Sequence, residues 1–164
     1  EGATPALLMY YDNVQSPKGK EVAMGALTNL ASSTANVELL LAAGFLPRLV
    51  RALGSGLLTE QVLAASAVCH LAKSIELARV LGEAGCIPPL VRMLDGKTST
   101  TQELAARAVS GLLSVGSNRR AFAVRRGAYK RWCFFLTRAT RASIRSFRYV
   151  PLGGWSARRS AGRR

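Results

Sequence analysis

GFLPRLVRAL, residues 44–53, and GCIPPLVRML, residues 85–94, carry glycine, proline, leucine, valine and arginine in the same columns, at an offset of 41 from Gly44 to Gly85. GATPALLMYY, from Gly2, precedes the first and GAYKRWCFFL, from Gly127, follows the second, each at an offset of 42, the last with Lys130 in the proline column. A second motif keeps the same register: ALTNLA at Ala26, AVCHLA at Ala67 and AVSGLL at Ala108, spaced by 41 and 41. Two motifs sharing one period indicate a repeat architecture, in which each unit buries its apolar face against its neighbours. The segment 60–94 is the centre of this pattern, because the flanks on both sides repeat it.

Bulk composition agrees with a packed chain. Of the 164 residues 49% are apolar, enough to bury a continuous core. The net charge of +14 is unevenly placed. Residues 1–124 hold 11 Lys or Arg and all 9 Asp or Glu, whereas residues 125–164 hold 12 basic residues and no acid. The basicity therefore belongs to the C-terminal segment, and the repeats are nearly balanced. Three cysteines, at 69, 86 and 133, are odd in number and lack paired metal spacing, so reduced and mostly buried thiols in an intracellular protein are expected, cytoplasmic or nuclear. The longest apolar run, residues 39–47, is too short to span a bilayer. Gly2 already falls midway through a repeat, so the chain reads as part of a longer protein whose open repeat edge leaves apolar surface available for association.

The pattern along the chain predicts three helices per repeat. Residues 3–11 read as the second helix of a partial unit, with Pro5 in its first turn, where proline costs no hydrogen bond. Residues 12–19 read as a loop. Over residues 20–32 the apolar positions Val22, Ala23, Ala26, Leu27 and Leu30 recur every three or four residues and predict an inward face, with Glu21, Gly25, Thr28 and Asn29 outward. Residues 33–36 read as a cap and 37–43 as a short helix ended by Gly44; Pro47 then restarts the chain through Leu53. A long helix is expected over 59–72, with Val62, Leu63, Ala65, Ala67, Val68 and Leu71 mostly inward. The same short, medium, long order follows at 75–83, 87–94 and 100–114, the last opened by a capping box of Thr100 and Glu103. The resulting division is 2–32 (partial), 33–73, 74–115 and 116–136 (partial), within a repeat region 1–136 and ahead of an Arg-rich segment 137–164.

These motifs resemble the armadillo repeat: Gly44, Pro47, Leu49, Val50 and Leu53; Gly85, Ile87, Pro88, Leu90, Val91 and Leu94; and Ala26, Leu27, Asn29 and Leu30. HEAT-type repeats, which lack the short first helix, are the runner-up. Plant armadillo-only and U-box armadillo proteins are nearest in flavour, although no U-box is present. The resemblance implies an all-α, right-handed superhelix of about three repeats whose third helices line a concave groove for extended peptides or partner domains. In nuclear-import receptors of this kind, an asparagine on each third helix holds the peptide backbone, and a tryptophan four residues earlier packs lysine stems. Here the asparagine column reads Asn29, His70, Gly111 and the tryptophan column Gly25, Ser66, Arg107. One match in six argues against nuclear-signal binding by that mechanism. A turn earlier stand Glu21 and Glu103, so the expected groove is small, polar and mixed in charge. Its candidate residues are Glu21, Gly25, Asn29, Ser66, His70, Glu103 and Arg107; the plain alternative is that they form solvated helix faces.

Catalytic patterns are weak. His70 is the single histidine, and its neighbour Cys69 points about 100° away on a helix, so the two cannot form the hydrogen bond that activates a nucleophile. Gly96-Lys97-Thr98 ends like a phosphate-binding loop, but Val91 stands where the first glycine belongs and a helix precedes it. Neither metal-ligand spacing nor a cofactor motif occurs, and no small-molecule substrate is indicated. A non-catalytic scaffold that binds another protein is therefore expected, with the substrate-binding part of a U-box type ubiquitin ligase as a further alternative.

Beyond Leu136 the helical period is lost, and three readings compete. Arg138, Arg141, Arg145 and Arg148, interleaved with Phe147, Tyr149 and Trp155, have the composition to neutralise phosphates and stack on bases, or to sit on anionic lipid. The segment equally reads as a disordered, solvated extension. The third reading is a frameshift: moving the frame by one base over residues 134–149 permits Leu-Pro-Asp-Pro-Arg-Asp-Ala-Gly-Val-Asp-Pro-Lys-Phe-Pro-Val, an ordinary interhelix loop. Sequencing the transcript across this region separates it from the other two.

Overall fold

Every regular element among residues 3–123, which the computed structural model describes, is an α-helix. In chain order these are α1 (Ala3–Asn13), α2 (Pro17–Ala31), α3 (Thr34–Ala42), α4 (Phe45–Leu53), α5 (Leu58–Leu71), α6 (Ile75–Glu83), α7 (Ile87–Met93), α8 (Ser99–Leu112) and α9 (Gly116–Ala123). The trios α3–α5 and α6–α8 repeat one design, preceded by the pair α1–α2.

The corner of each trio is a glycine. Gly44 (φ 81°) and Gly85 (φ 90°) are the positive-φ residues of the described chain. At Gly85 the amide donates to the Gly82 carbonyl (3.1 Å) and the next amide, of Cys86, to the Leu81 carbonyl (3.1 Å), the pair of hydrogen bonds that closes a helix end in the left-handed conformation. A Cβ there meets the following carbonyl, which is why glycine recurs in this column. Gly44→Ala and Gly85→Ala are each expected to lower stability by about 1–2 kcal/mol in urea titrations followed by circular dichroism.

Past the corner, Pro47 and the Pro88-Pro89 pair fall in the first turns of α4 and α7, whose amides lack intrahelical partners in any case. The leucine columns then form one spine: Leu40 and Leu81, Leu49 and Leu90, Leu53 and Leu94, Leu71 and Leu112 are all at most 2% exposed. Each such side chain contributes about 1.5–3 kcal/mol through its removal from water.

Four local expectations are corrected. The loop is shorter than residues 12–19, since α1 continues to Asn13 and α2 starts at Pro17, capped by the Ser16 hydroxyl, which accepts from the Gly19 amide at 3.0 Å. The first short helix starts at Thr34, three residues earlier than expected. The inward face of α2 is rotated: Ala23, Met24, Leu27, Thr28 and Ala31 are buried, while Val22 is 59% exposed. The cap of α8 is Thr98, whose extended backbone lets its hydroxyl accept from the Thr101 amide (3.3 Å); Thr100 lies inside the helix and Glu103 is exposed.

A polar clamp joins α1 to α4. Arg48 donates from Nε (2.7 Å) and Nη2 (2.5 Å) to Asp12 Oδ2, and Arg51 Nη2 lies 2.5 Å from Oδ1. The Arg48 hydrogen bond, helped by Arg51, holds the Asp12 carboxyl below its ordinary range. A carboxyl depressed in the folded state stabilises it above the unfolded value of about 3.9, and that contribution fades as pH falls through the folded value. Asp12→Asn is therefore expected to flatten the pH dependence of unfolding below about pH 4 and to lower stability at pH 7 by the amount of slope removed, as measured by urea titrations at both pH values.

The edge formed by α1 and α2 exposes apolar side chains in columns that are covered elsewhere. Tyr10 is 51% exposed, whereas its counterparts Ala52 and Met93 are 0% and 4% exposed. Ala26 and Leu30 are half-buried where Ala67 and Leu71 are buried.

Candidate peptide groove

Small side chains let the third helices approach closely. Ala64, Ala65, Ala67, Ala105, Ala106 and Ala108 are buried on α5 and α8, and α2 packs on α5 as α5 packs on α8. A Cβ added to Gly111 would stand 2.8 Å from that of Ala72, so glycine is what this contact admits. The helices are also stitched by a repeated polar contact. The Thr28 hydroxyl lies 3.1 Å from the Leu63 carbonyl on the next third helix, sharing its proton with Met24 O at 2.8 Å. The Cys69 thiol stands 3.7 Å from the Leu104 carbonyl. Thr28 and Cys69 are one repeat apart, as are Leu63 and Leu104, so the sequence period is also the period of the hydrogen bonds. Thr28, expected outward, is buried because it makes this contact.

The remaining face of α2, α5 and α8 carries the candidate columns. Gly25 and Ser66 are half-buried and Arg107 is exposed; Asn29 is exposed, His70 half-buried and Gly111 half-buried beneath Ala72. In the column one turn earlier, Glu21 is half-buried and paired with Lys18 (3.2 Å), Glu103 is exposed, and Val62, expected inward, is only half-buried between them. The predicted residues thus sit on three adjacent helices in register. Lys73 completes the face and was missed. It is the cation in a column otherwise read by Ser32 and Ser114, so the repeat spacing pointed to it.

The face is graded in charge. Burial holds His70 below its ordinary value, and the nearby Lys73 and Arg107 cations push the same way, so the ring is neutral at pH 7. Burial pushes the Cys69 thiol up to about 11 despite those cations, which keeps it protonated and unreactive. The end of the face near the helix C-termini is therefore cationic, and the opposite end carries the two carboxylates. Among the described residues no cluster of three or more His, Cys, Asp or Glu could hold a metal ion, and no helix is long and apolar enough to cross a membrane. Arg138, Arg141, Arg145 and Arg148, and with them the three readings of the basic segment, lie outside the described residues.

Similar proteins support the same geometry. Residues 74–114 match the family model for the armadillo/beta-catenin-like repeat. No curated protein matches the chain. Among solved structures, an engineered protein superposes with a TM-score of 0.71 at 25% identity, over 87% of this chain and 56% of its own. A designed armadillo repeat protein in complex with the peptide (KR)4 gives 0.65 at 24% identity, over 82% and 63%. Computationally designed armadillo repeat proteins for modular peptide recognition give 0.61 at 21%, over 80% and 52%. The chain thus spans about half the length of several of the structures it matches. Three-helix units at one sequence period, glycine corners and stitched third helices give the chain an armadillo-type fold, and residues 74–114 match the armadillo repeat itself.

Proposed function

We propose that the chain is a non-catalytic scaffold that binds an extended segment of another protein along the exposed face of α2, α5 and α8. The observation that carries this reading is the alignment of unburied polar side chains in register across three helices, with Asn29 exposed among them. That a designed armadillo repeat protein of similar fold is found in complex with the peptide (KR)4 supports a peptide as the kind of ligand. The ligand chemistry differs here. Arg107 takes the place where lysine stems would pack, and Lys73 stands beside it, so this face disfavours a lysine-rich peptide.

Peptides selected against the whole chain from a random display library provide the test. Asn29→Ala combined with Arg107→Glu is expected to weaken the selected peptides about tenfold, or 1.4 kcal/mol, with helix content unchanged by circular dichroism. Equal binding by the variant would remove the proposal. A second reading is favoured by the charge of residues 125–164, which hold 12 basic residues and no acid. A polyanion held by this segment would bind with a log affinity falling steeply with log salt, by about 0.9 per phosphate on duplex DNA. Deleting residues 137–164 should abolish it, and unchanged binding would exclude it.

A further inference from the structure

The turns that join second to third helices form a separate cleft on the edge of the stack, away from the groove face. It has a volume of about 490 Å³ and lies between the α4–α5 turn and the α7–α8 turn. Its apolar lining comes from Leu53, Leu58, Pro89 and Met93, and Leu58 is 46% exposed there. In this concavity the Leu58 side chain is open to contact by an apolar group of a ligand.

Both walls are fixed by the same device, repeated at the same period. The Gln61 side-chain amide donates to the Ser55 carbonyl, and that of Gln102 to the Gly96 carbonyl at 2.7 Å. Each glutamine thereby ties the first turn of its helix to the turn before it, so the cleft is formed before any ligand arrives. A fixed wall spares a ligand the entropy of ordering a loop.

Among the described residues that line the cleft the charged side chains are Arg92 and Lys97, and neither has an ion-pair partner among the described residues. Both are exposed. We propose that this cleft docks an acidic, extended peptide of a partner protein. One aliphatic side chain of the peptide rests against the exposed Leu58, and flanking carboxylates face Arg92 and Lys97. The site is independent of the groove face and does not rest on the reading given above.

The test uses fluorescence anisotropy with the whole chain and two labelled probes, Glu-Glu-Leu-Glu-Glu and Glu-Glu-Gly-Glu-Glu, at about 0.15 M salt, where diffuse attraction to the basic C-terminal segment is screened. The leucine probe should bind the more tightly. R92E/K97E should weaken it about tenfold or more, because attraction is turned into repulsion at two sites. R120E, on α9 outside both the cleft lining and the groove columns, should leave it within about twofold. Circular dichroism checks that both variants remain helical, and R92Q/K97Q, with a milder loss expected, replaces R92E/K97E if that variant does not. Equal binding of the two probes, indifference to the Arg92 and Lys97 substitutions, or loss on R120E instead would each overturn the proposal.

Discussion

Truncating Phe45 to alanine is expected to destabilise the chain by about 3–5 kcal/mol, the range for removing a fully buried aromatic ring. Phe45 is 0% exposed and sits directly after the Gly44 corner, where the chain enters α4. Its counterpart in the next repeat is Cys86, also 0% exposed, so the two repeats fill one site with side chains of very different volume. Phe45→Ala empties a site whose surroundings are shaped for a ring, whereas Cys86→Ala removes a single sulfur and should cost about 1 kcal/mol. Urea titrations of both variants measure the contrast. Similar small losses for the two would mean that the Phe45 ring is not packed in the core.

Tyr11→Phe should cost about 3 kcal/mol, although it deletes one oxygen atom. The Tyr11 hydroxyl donates to Glu60 Oε1, and the two residues are 2% and 3% exposed. Arg51 sits over the Tyr11 ring, 5.7 Å from its centroid, and links this pair to the Asp12 clamp. Removing the hydroxyl leaves a buried carboxylate without its donor, which is worse than never having the pair. Glu60→Leu in the Tyr11→Phe background should therefore recover much of the loss, a coupling that a double-mutant cycle measures. Burial, with Glu60 behind it, also pushes the Tyr11 hydroxyl above its ordinary value. A group raised in the folded state stabilises it below the unfolded value of about 10, and the contribution is lost as pH rises through the folded value. Alkaline unfolding should be shallower in Tyr11→Phe than in the parent.

The backbone plan was legible because its signals are local. Gly44 and Gly85 mark conformations that other residues avoid, and prolines mark first turns, so corners and helix order follow from residue type. The face of α2 was not, because Ala23, Gly25, Ala26 and Thr28 differ little in size and the apolar stripe can be drawn one position off. Val22 looked inward by hydropathy. Its counterpart Leu63 packs toward the preceding third helix, with Cδ1 3.9 Å from where a Gly25 Cβ would lie, and Val22 has no such helix beside it among the described residues. The cap of α8 was misplaced because Thr98, Ser99, Thr100 and Thr101 offer four hydroxyls in a row, and only backbone geometry picks Thr98.

The Tyr11–Glu60 pair was invisible for another reason: its partners lie 49 residues apart, off the repeat period, and each departs from its column. Leu53 and Leu94 occupy the positions matching Tyr11, and Thr101 the one matching Glu60. The register of the candidate columns, in contrast, follows from spacing alone, that of Lys73 included, whereas the half-burial of Val62 does not. The edge cleft was not readable, because turn backbone and two glutamine amides build it.

The central claim is that successive third helices present the same column of residues at equal steps along the stack. Spin labels placed pairwise at positions 25 and 66, 66 and 107, and 25 and 107, in a background without cysteine, test it through dipolar broadening. Helices packed side by side lie about 8–10 Å apart. The first two pairs should give equal, strong broadening and the third markedly less. Unequal broadening of the first two pairs, or a third pair as close as either, would contradict the account.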